Sequence, residues 1–162
     1  VTMARQLGVT IGEDCRILTD PVSTFGSEPF LVSLGDHVTV TSGVRFITHD
    51  GGVWVFREEY PEIDVFGPII VGNNVFLGFS VAILPGVRIG DNVVIGAHSV
   101  VTRNIPSNVV VAGVPAKVIS SIEEYKSRCL AKASHFRNKP MAEKRSLLLE
   151  KFKDAFNPPL SR

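Results

Sequence analysis

The chain has 162 residues, with 17 basic and 16 acidic side chains and a formal net charge of +1. That is one domain's worth of sequence, with 44% apolar residues to build a core. No apolar run is long enough to span a bilayer and no leader pattern is present, so no transmembrane segment is expected; nor is a nucleic-acid partner expected for this chain. The charge is uneven: residues 1–120 carry 7 basic and 11 acidic side chains, and residues 121–162 carry 10 and 5. A basic tail of this kind is most simply a solvated helix face. It also suits an anionic cofactor, an acidic partner or a membrane surface. Cys15 and Cys129 form no C-x-x-C pair, and both are read as ordinary thiols of a reducing cytoplasm.

In chain order, weak six-residue blocks begin at Ile11 (IGEDCR) and Ile17, which places Cys15 on an interior fifth position. Residues 18–33 (LTDPVSTFGSEPFLVS) break the phase and read as irregular and turn-rich. The phase returns with LGDHVT from Leu34, VTSGVR from Val40 and FITHDG from Phe46. A second break, residues 52–70 (GVWVFREEYPEIDVFGPII), is too long for an ordinary connection. It holds the single tryptophan, Trp54, with Phe56, Arg57, Tyr60, Phe66 and four acids. Such a loop is expected to pack on a neighbour or cover a site.

From Val71 to Pro106 the sequence repeats every six residues without a gap: VGNNVF, LGFSVA, ILPGVR, IGDNVV, IGAHSV, VTRNIP. The first position is always aliphatic, and the fifth is apolar except at Ser99. A period of six does not register with a helical turn of 3.6 residues, and a hairpin sheet has no need of it. A parallel β-helix does, because equivalent positions stack coil upon coil. The first and fifth positions then point inward and the fourth outward. Gly72, Asn73, Gly78, Gly90, Asp91, Asn92 and Gly96 are expected at corners, through unusual backbone angles or local side-chain bonds. After Ser120 the pattern becomes helical, with an apolar stripe of Ile122, Tyr125, Cys129, Ala133 and Phe136. Pro140 opens a second segment carrying Leu148, Phe152 and Phe156, which Pro158 and Pro159 end. The expected organisation is mainly β: a parallel β-helix over residues 1–120 with a protruding loop at 52–70, then a helical extension over 121–162.

The run from Ile70 to Ile119, IVGNNVFLGFSVAILPGVRIGDNVVIGAHSVVTRNIPSNVVVAGVPAKVI, resembles the hexapeptide-repeat acyltransferases with a left-handed β-helix. It is most similar to the sugar O-acetyltransferases of the galactoside and maltose type and to polysaccharide acetyltransferases built like them. The resemblance covers residues 9–120, and GAHSVVTRNIP followed by VAGVPAKVI is its most specific part. It implies transfer from acetyl-CoA, without a metal, in a homotrimer with sites between neighbouring prisms. The family's catalytic histidine falls on His49, and its backbone oxyanion donor on Phe79, after Val75-Phe76-Leu77-Gly78. Phe76 stands where the family has Trp and, with Gly78, borders the cofactor path. Contacts to the pantetheine arm fall on Ala97 and Thr102, and cations near the CoA phosphates on Arg103 and Lys117. Trp54 and Tyr60 are candidates for acceptor stacking or trimer packing. Two positions depart from the pattern. Gly43 replaces the Asn that sugar acetyltransferases place beside the acceptor, and His98 replaces the last Gly of G-A-G.

The chemistry agrees with this assignment. Acetyl transfer to an alcohol needs a base for the hydroxyl proton and fixed donors for the oxygen that becomes negative. His49, a fourth-position residue, points outward to meet them. His37 and His98 share its position in the block and are read as solvent-facing corner residues. Asp50, next to His49, faces the other way and is not assigned as its orienting group. No Ser-His-Asp or Cys-His set suggests a covalent intermediate, so direct transfer is expected. No H-x-x-x-x-H is present, which removes the zinc site of γ-type carbonic anhydrases. The expected activity is cytoplasmic O-acetylation of a sugar or glycan precursor. An antibiotic acetyltransferase of the chloramphenicol and streptogramin type is the alternative enzyme. A silent trimeric scaffold is the alternative without activity, and the intact His49 argues against it.

Overall fold

The computed structural model describes residues 1–156. They form two compact units, Val1–Lys126 and a second beginning at Ser127. The first is a left-handed parallel β-helix whose short strands stack on three faces. One face carries β1 (Thr10–Ile11), β3 (Val32–Leu34), β6 (Ile69–Val71) and β9 (Arg88–Ile89). The second carries β2 (Arg16–Ile17), β4 (Thr39–Val40), β7 (Val75–Leu77), β10 (Val93–Ile95) and β12 (Val109–Ala112). The third carries β5 (Arg45–Phe46), β8 (Ala82–Ile83) and β11 (Val100–Val101). These strands pair in parallel, with Phe76 between Thr39 and Val94, and Ala82 between Arg45 and Val100. The last strand, β13 (Lys117–Ser121), runs antiparallel to β12.

The hexad phase fills the interior as its pattern requires. First-position Val71, Leu77, Ile83, Ile89, Ile95 and Val101 are buried, as are fifth-position Val75, Val81, Val87, Val93 and Ile105. Each contributes about 1.5–3 kcal/mol by leaving water. Ser99 breaks the apolar series and is fully buried, yet its hydroxyl donates to the Gly96 carbonyl at 2.7 Å and accepts from the Gly113 N–H at 3.1 Å. A buried hydroxyl satisfied twice costs little. Cys15 is only half-buried, with its thiol against the Gly35 carbonyl at 3.1 Å.

The corners follow the expectation only in part. Left-handed backbone falls on fourth positions: His37 (φ 55°), Asn74, Ser80, Asn92 and His98 (φ 57°). Gly72, Gly78, Gly90 and Gly96 lie outside that region and are required for a different reason. Successive coils approach there, so a Cβ on Gly72 would lie 2.9 Å from the Gly90 carbonyl oxygen. Asn73 and Asp91 act through side-chain bonds: Asn73 accepts the Asp36 N–H at 2.8 Å and Asp91 the Asn73 N–H at 2.6 Å. Beside them, His37, Asn74, Asn92 and Asn108 form a ladder of side-chain bonds of 2.8–2.9 Å, one rung per coil.

The first interruption is more ordered than an irregular reading allows. Residues 18–33 contain α2 (Pro21–Phe25), whose Asp20 cap accepts the Ser23 N–H at 2.9 Å. An N-cap acid followed by proline at the first helical position is a local start signal. Phe25 of this helix stacks on Phe46 of β5 at 5.0 Å, and both rings lie in the core. A turn of 3-10 helix, Pro29–Leu31, follows. The second interruption opens with a 3-10 segment, Gly51–Phe56. An N-terminal helix, α1 (Thr2–Gln6), was not signalled by the hexads and inserts Ala4 into the core.

The C-terminal helices are α3 (Ile122–Lys132), α4 (Met141–Lys151) and α5 (Lys153–Phe156), and none of them carries a buried residue. The expected single stripe stops early, because Ala133 and Phe136 lie beyond the end of α3. Pro158 and Pro159 lie outside the described residues. Among the described residues no helix is long and apolar enough to cross a membrane.

Candidate active site

His49 follows β5 by three residues, where the chain leaves the third face for its long excursion. The excursion is pinned shut at its base. His49 and Phe66 form an antiparallel bridge, the Asp50 N–H donates to the Val65 carbonyl at 2.9 Å, and the Gly67 N–H donates to the Thr48 carbonyl at 2.8 Å. The Asp50 carboxylate caps the 3-10 segment by accepting the Gly52 N–H at 2.8 Å. It is therefore engaged away from His49. Further out, Arg57 ties the loop to itself through the Asp64 carboxylate and the Pro61 carbonyl.

The earlier interruption supplies the partner of His49. Glu28 Oε2 accepts the Thr48 hydroxyl at 2.7 Å and meets His49 Nδ1 at 2.9 Å. The Glu28 side chain is only 18% exposed, whereas that of His49 is 46% exposed. The hydrogen bond from Thr48, followed by that from His49, holds the Glu28 carboxyl below its ordinary value of 4.5, against the opposing effect of burial. The sign of the linkage follows. A depressed carboxyl stabilises the fold above its unfolded pKa, and that contribution disappears as the pH falls from 4.5 through the lowered folded value. Glu28→Gln is thus expected to be less stable than the parent near neutrality and to converge with it in acid. Melting curves from pH 7 downward check this, and a constant difference at every pH would remove the linkage.

Glu28, His49, Asp50, Trp54, Arg57, Asp64 and Phe66 surround a cleft of about 500 Å³. Trp54 is 75% exposed, and the Phe66 ring stands edge-on to His49 with centroids 6.3 Å apart. Tyr60 does not line this cleft; it lies further along the loop, beside Pro61 and Ile63.

Of the residues assigned to the acyl donor, Phe76, Gly78, Phe79 and Ala97 lie toward another corner, whereas Thr102 and Arg103 follow β11 at the same end of the third face as His49. Phe79 sits in the turn before β8, with its ring against His98 at 5.3 Å. On either side of it, the Gly78 and Ser80 N–H groups bond to Ile95 and Ser42. Among the described residues the Phe79 N–H has no protein acceptor, and neither has that of Ala97 one coil further on. Phe76, on the outer side of β7, is 42% exposed, and Gly78 is buried between coils. Thr102 and Arg103 follow β11 and are exposed, as is Lys117 on β13. Among the described residues Arg103 and Lys117 form no ion pair. Free N–H groups for an acyl arm and unpaired cations for phosphates are a donor set that fits acetyl-CoA.

A single copy does not bring His49 to Phe79. Strands β5 and β8 are parallel neighbours, with His49 three residues beyond one and Phe79 three residues before the other. At about 3.3 Å per residue this puts them at opposite ends of the face, roughly 20 Å apart.

Residues 68–103 match the family described as bacterial transferase hexapeptide (six repeats). Protein CapG of Staphylococcus aureus is 57% identical over 150 residues, which cover 93% of this chain and 87% of CapG. Galactoside O-acetyltransferase of Escherichia coli K12 is 34% identical over 140 residues, covering 76% of this chain and 68% of the enzyme. The chain belongs to the hexapeptide-repeat acetyltransferases. A solved galactoside acetyltransferase in complex with coenzyme A superposes with a TM-score of 0.57 at 35% identity, covering 81% of this chain and 61% of that one. Membership makes this chain an acyltransferase that uses acetyl-CoA. Among the described residues no group of His, Cys, Asp or Glu is arranged to hold a metal ion.

Sequence reasoning missed Glu28. It lies 21 residues before His49, in a stretch without hexad phase. The only sequence signal was a carboxylate placed, before a proline, in one of the two breaks of the repeat.

Proposed function

We propose that this acetyltransferase moves the acetyl group of acetyl-CoA onto a hydroxyl of a sugar or glycan precursor, in the cytoplasm, by direct transfer within a homotrimer. The observation that carries the reading is His49 itself. It is half exposed on the cleft wall with Nδ1 engaged, and among the described residues Nε2 has no protein partner. His49 Nε2 takes the acceptor's hydroxyl proton as that oxygen attacks the thioester carbonyl, a role worth about 10²–10⁴-fold in rate. A backbone N–H such as that of Phe79 donates to the carbonyl oxygen as it becomes negative. The C–S bond then breaks, the acetyl ester is formed, and the CoA thiolate leaves and recovers the proton. No Ser or Cys is hydrogen-bonded to His49 among the described residues, which supports transfer without an acyl-enzyme.

The sugar reading rests on the cleft wall and on the relatives. Trp54 and Phe66 offer apolar faces for a ring, and Asp50, Asp64 and Arg57 offer partners for hydroxyls. The trimer reading rests on the separation along the third face. Base and oxyanion donor lie at opposite ends of it, so a second copy must bring one to the other. A ring closes when the His49 edge of each copy meets the Phe79 edge of the next.

Free-thiol release from acetyl-CoA tests the activity, against mono- and oligosaccharides, amino sugars, chloramphenicol and a streptogramin. Release that depends on a sugar is the expected result, with a trimer in sedimentation. Release driven only by an antibiotic would move the acceptor to that class. A fully active monomer would remove the shared cleft.

A further inference from the structure

We infer that Glu28 is the positioning residue of the transfer reaction, fixing His49 in the tautomer that carries its proton on Nδ1. The inference rests on His49 being the base of the proposed function. The carboxylate is itself held in place: one oxygen, Oε2, takes both the Thr48 hydroxyl at 2.7 Å and His49 Nδ1 at 2.9 Å. Thr48 is 2% exposed, and the Glu28 main chain is anchored by the 3-10 turn in which the Leu31 N–H donates to the Glu28 carbonyl at 3.0 Å. The carboxylate therefore belongs to the cleft wall and has little freedom to follow the imidazole.

The tautomer follows from the partners. The Thr48 hydroxyl hydrogen already points at Oε2, so the carboxylate offers His49 only lone pairs. An imidazole with its proton on Nε2 would set the Nδ1 lone pair against an anionic oxygen 2.9 Å away, which is repulsive. The proton sits on Nδ1, and the Nε2 lone pair remains for the acceptor hydroxyl. When Nε2 is protonated, the Nδ1–H to carboxylate bond becomes charge-assisted and stronger, so the help grows as the reaction proceeds. Carboxylates behind imidazoles are used in this way in hydrolytic and metal sites of other proteins. Here the carboxylate comes from the coil before, delivered by an interruption of the repeat.

Two measurements on the full chain test this. In steady-state kinetics Glu28→Ala is expected to lower kcat about 10²-fold, within the range of base-assisted steps, with KM for acetyl-CoA unchanged. Glu28→Gln keeps an acceptor oxygen for both donors without the charge and is expected to recover part of that loss. Nitrogen-15 spectra of the His49 ring should give Nδ1 as the protonated nitrogen in the parent and lose that preference in Glu28→Ala. A kcat unchanged in Glu28→Ala, or a tautomer indifferent to residue 28, would overturn the inference. A parent protein that acetylates nothing would end the functional reading instead, and the ring spectra would still decide whether Glu28 sets the tautomer.

Discussion

His49→Ala is expected to lower acetyl transfer by at least about 10²-fold, and by up to about 10⁴-fold, while acetyl-CoA still binds. The loss should fall on kcat, because His49 is not among the residues assigned to the acyl donor. The fold should hold, since His49 is half exposed and belongs to no buried cluster, and Thr48 still donates to Glu28 in its absence. Thiol-release kinetics measure the rate, and titration calorimetry with acetyl-CoA confirms that the donor site is intact. A variant running at near-parental rate would take His49 out of the chemistry.

Gly78→Ala is expected to do a different kind of damage. A Cβ at this position would lie 2.6 Å from the Ile95 carbonyl oxygen and 2.8 Å from the Ala97 nitrogen. Both are backbone atoms of the next coil, so no side chain can turn aside, and two coils must separate. Overpacking of this sort costs about 1–3 kcal/mol. The separation would also displace the two unengaged N–H groups, those of Phe79 and Ala97. A misplacement of about 1 Å costs on the order of 10²-fold in rate. The variant is therefore expected to melt earlier, raise KM for acetyl-CoA and lower kcat together, whereas His49→Ala moves kcat alone. Parental melting and parental kinetics in the same variant would show that the coils at this corner have room to spare.

The contrast between these residues also explains what was legible in the sequence. The interior is written six residues at a time, and each position reports its own orientation. Even Ser99 is placed inward by its phase alone, and its two hydrogen bonds satisfy it there. The glycines were rightly put at corners, but for the wrong physical reason at Gly72 and Gly78. Nothing in one coil's sequence announces how closely the next coil approaches. His49 stands apart from His37 and His98 because the latter two hold left-handed corners, whereas His49 is bridged to Phe66. That difference appears only once the chain is folded. Glu28 was out of reach for a related reason. Its partnership spans the end of one interruption and a whole coil, and interruptions carry no period to extrapolate from. The start of helix α2 is written in Asp20 and Pro21, a local signal that lies outside the six-residue phase.

A stack of parallel coils has a liability that its core does not reveal. Each end presents a rung of unpaired main-chain groups and a cross-section of bare apolar side chains, a ready template on which another copy could continue the spiral. Here both ends are blunted. At the start, α1 lays Ala4 over the first coil. At the finish, β13 turns back antiparallel onto β12 with an irregularity between Val110 and Val111, so the next strand offered has the wrong direction for the repeat. Growth along the axis is thereby stopped. The protein is kept from becoming a fibre by two short elements, one at each end of the stack.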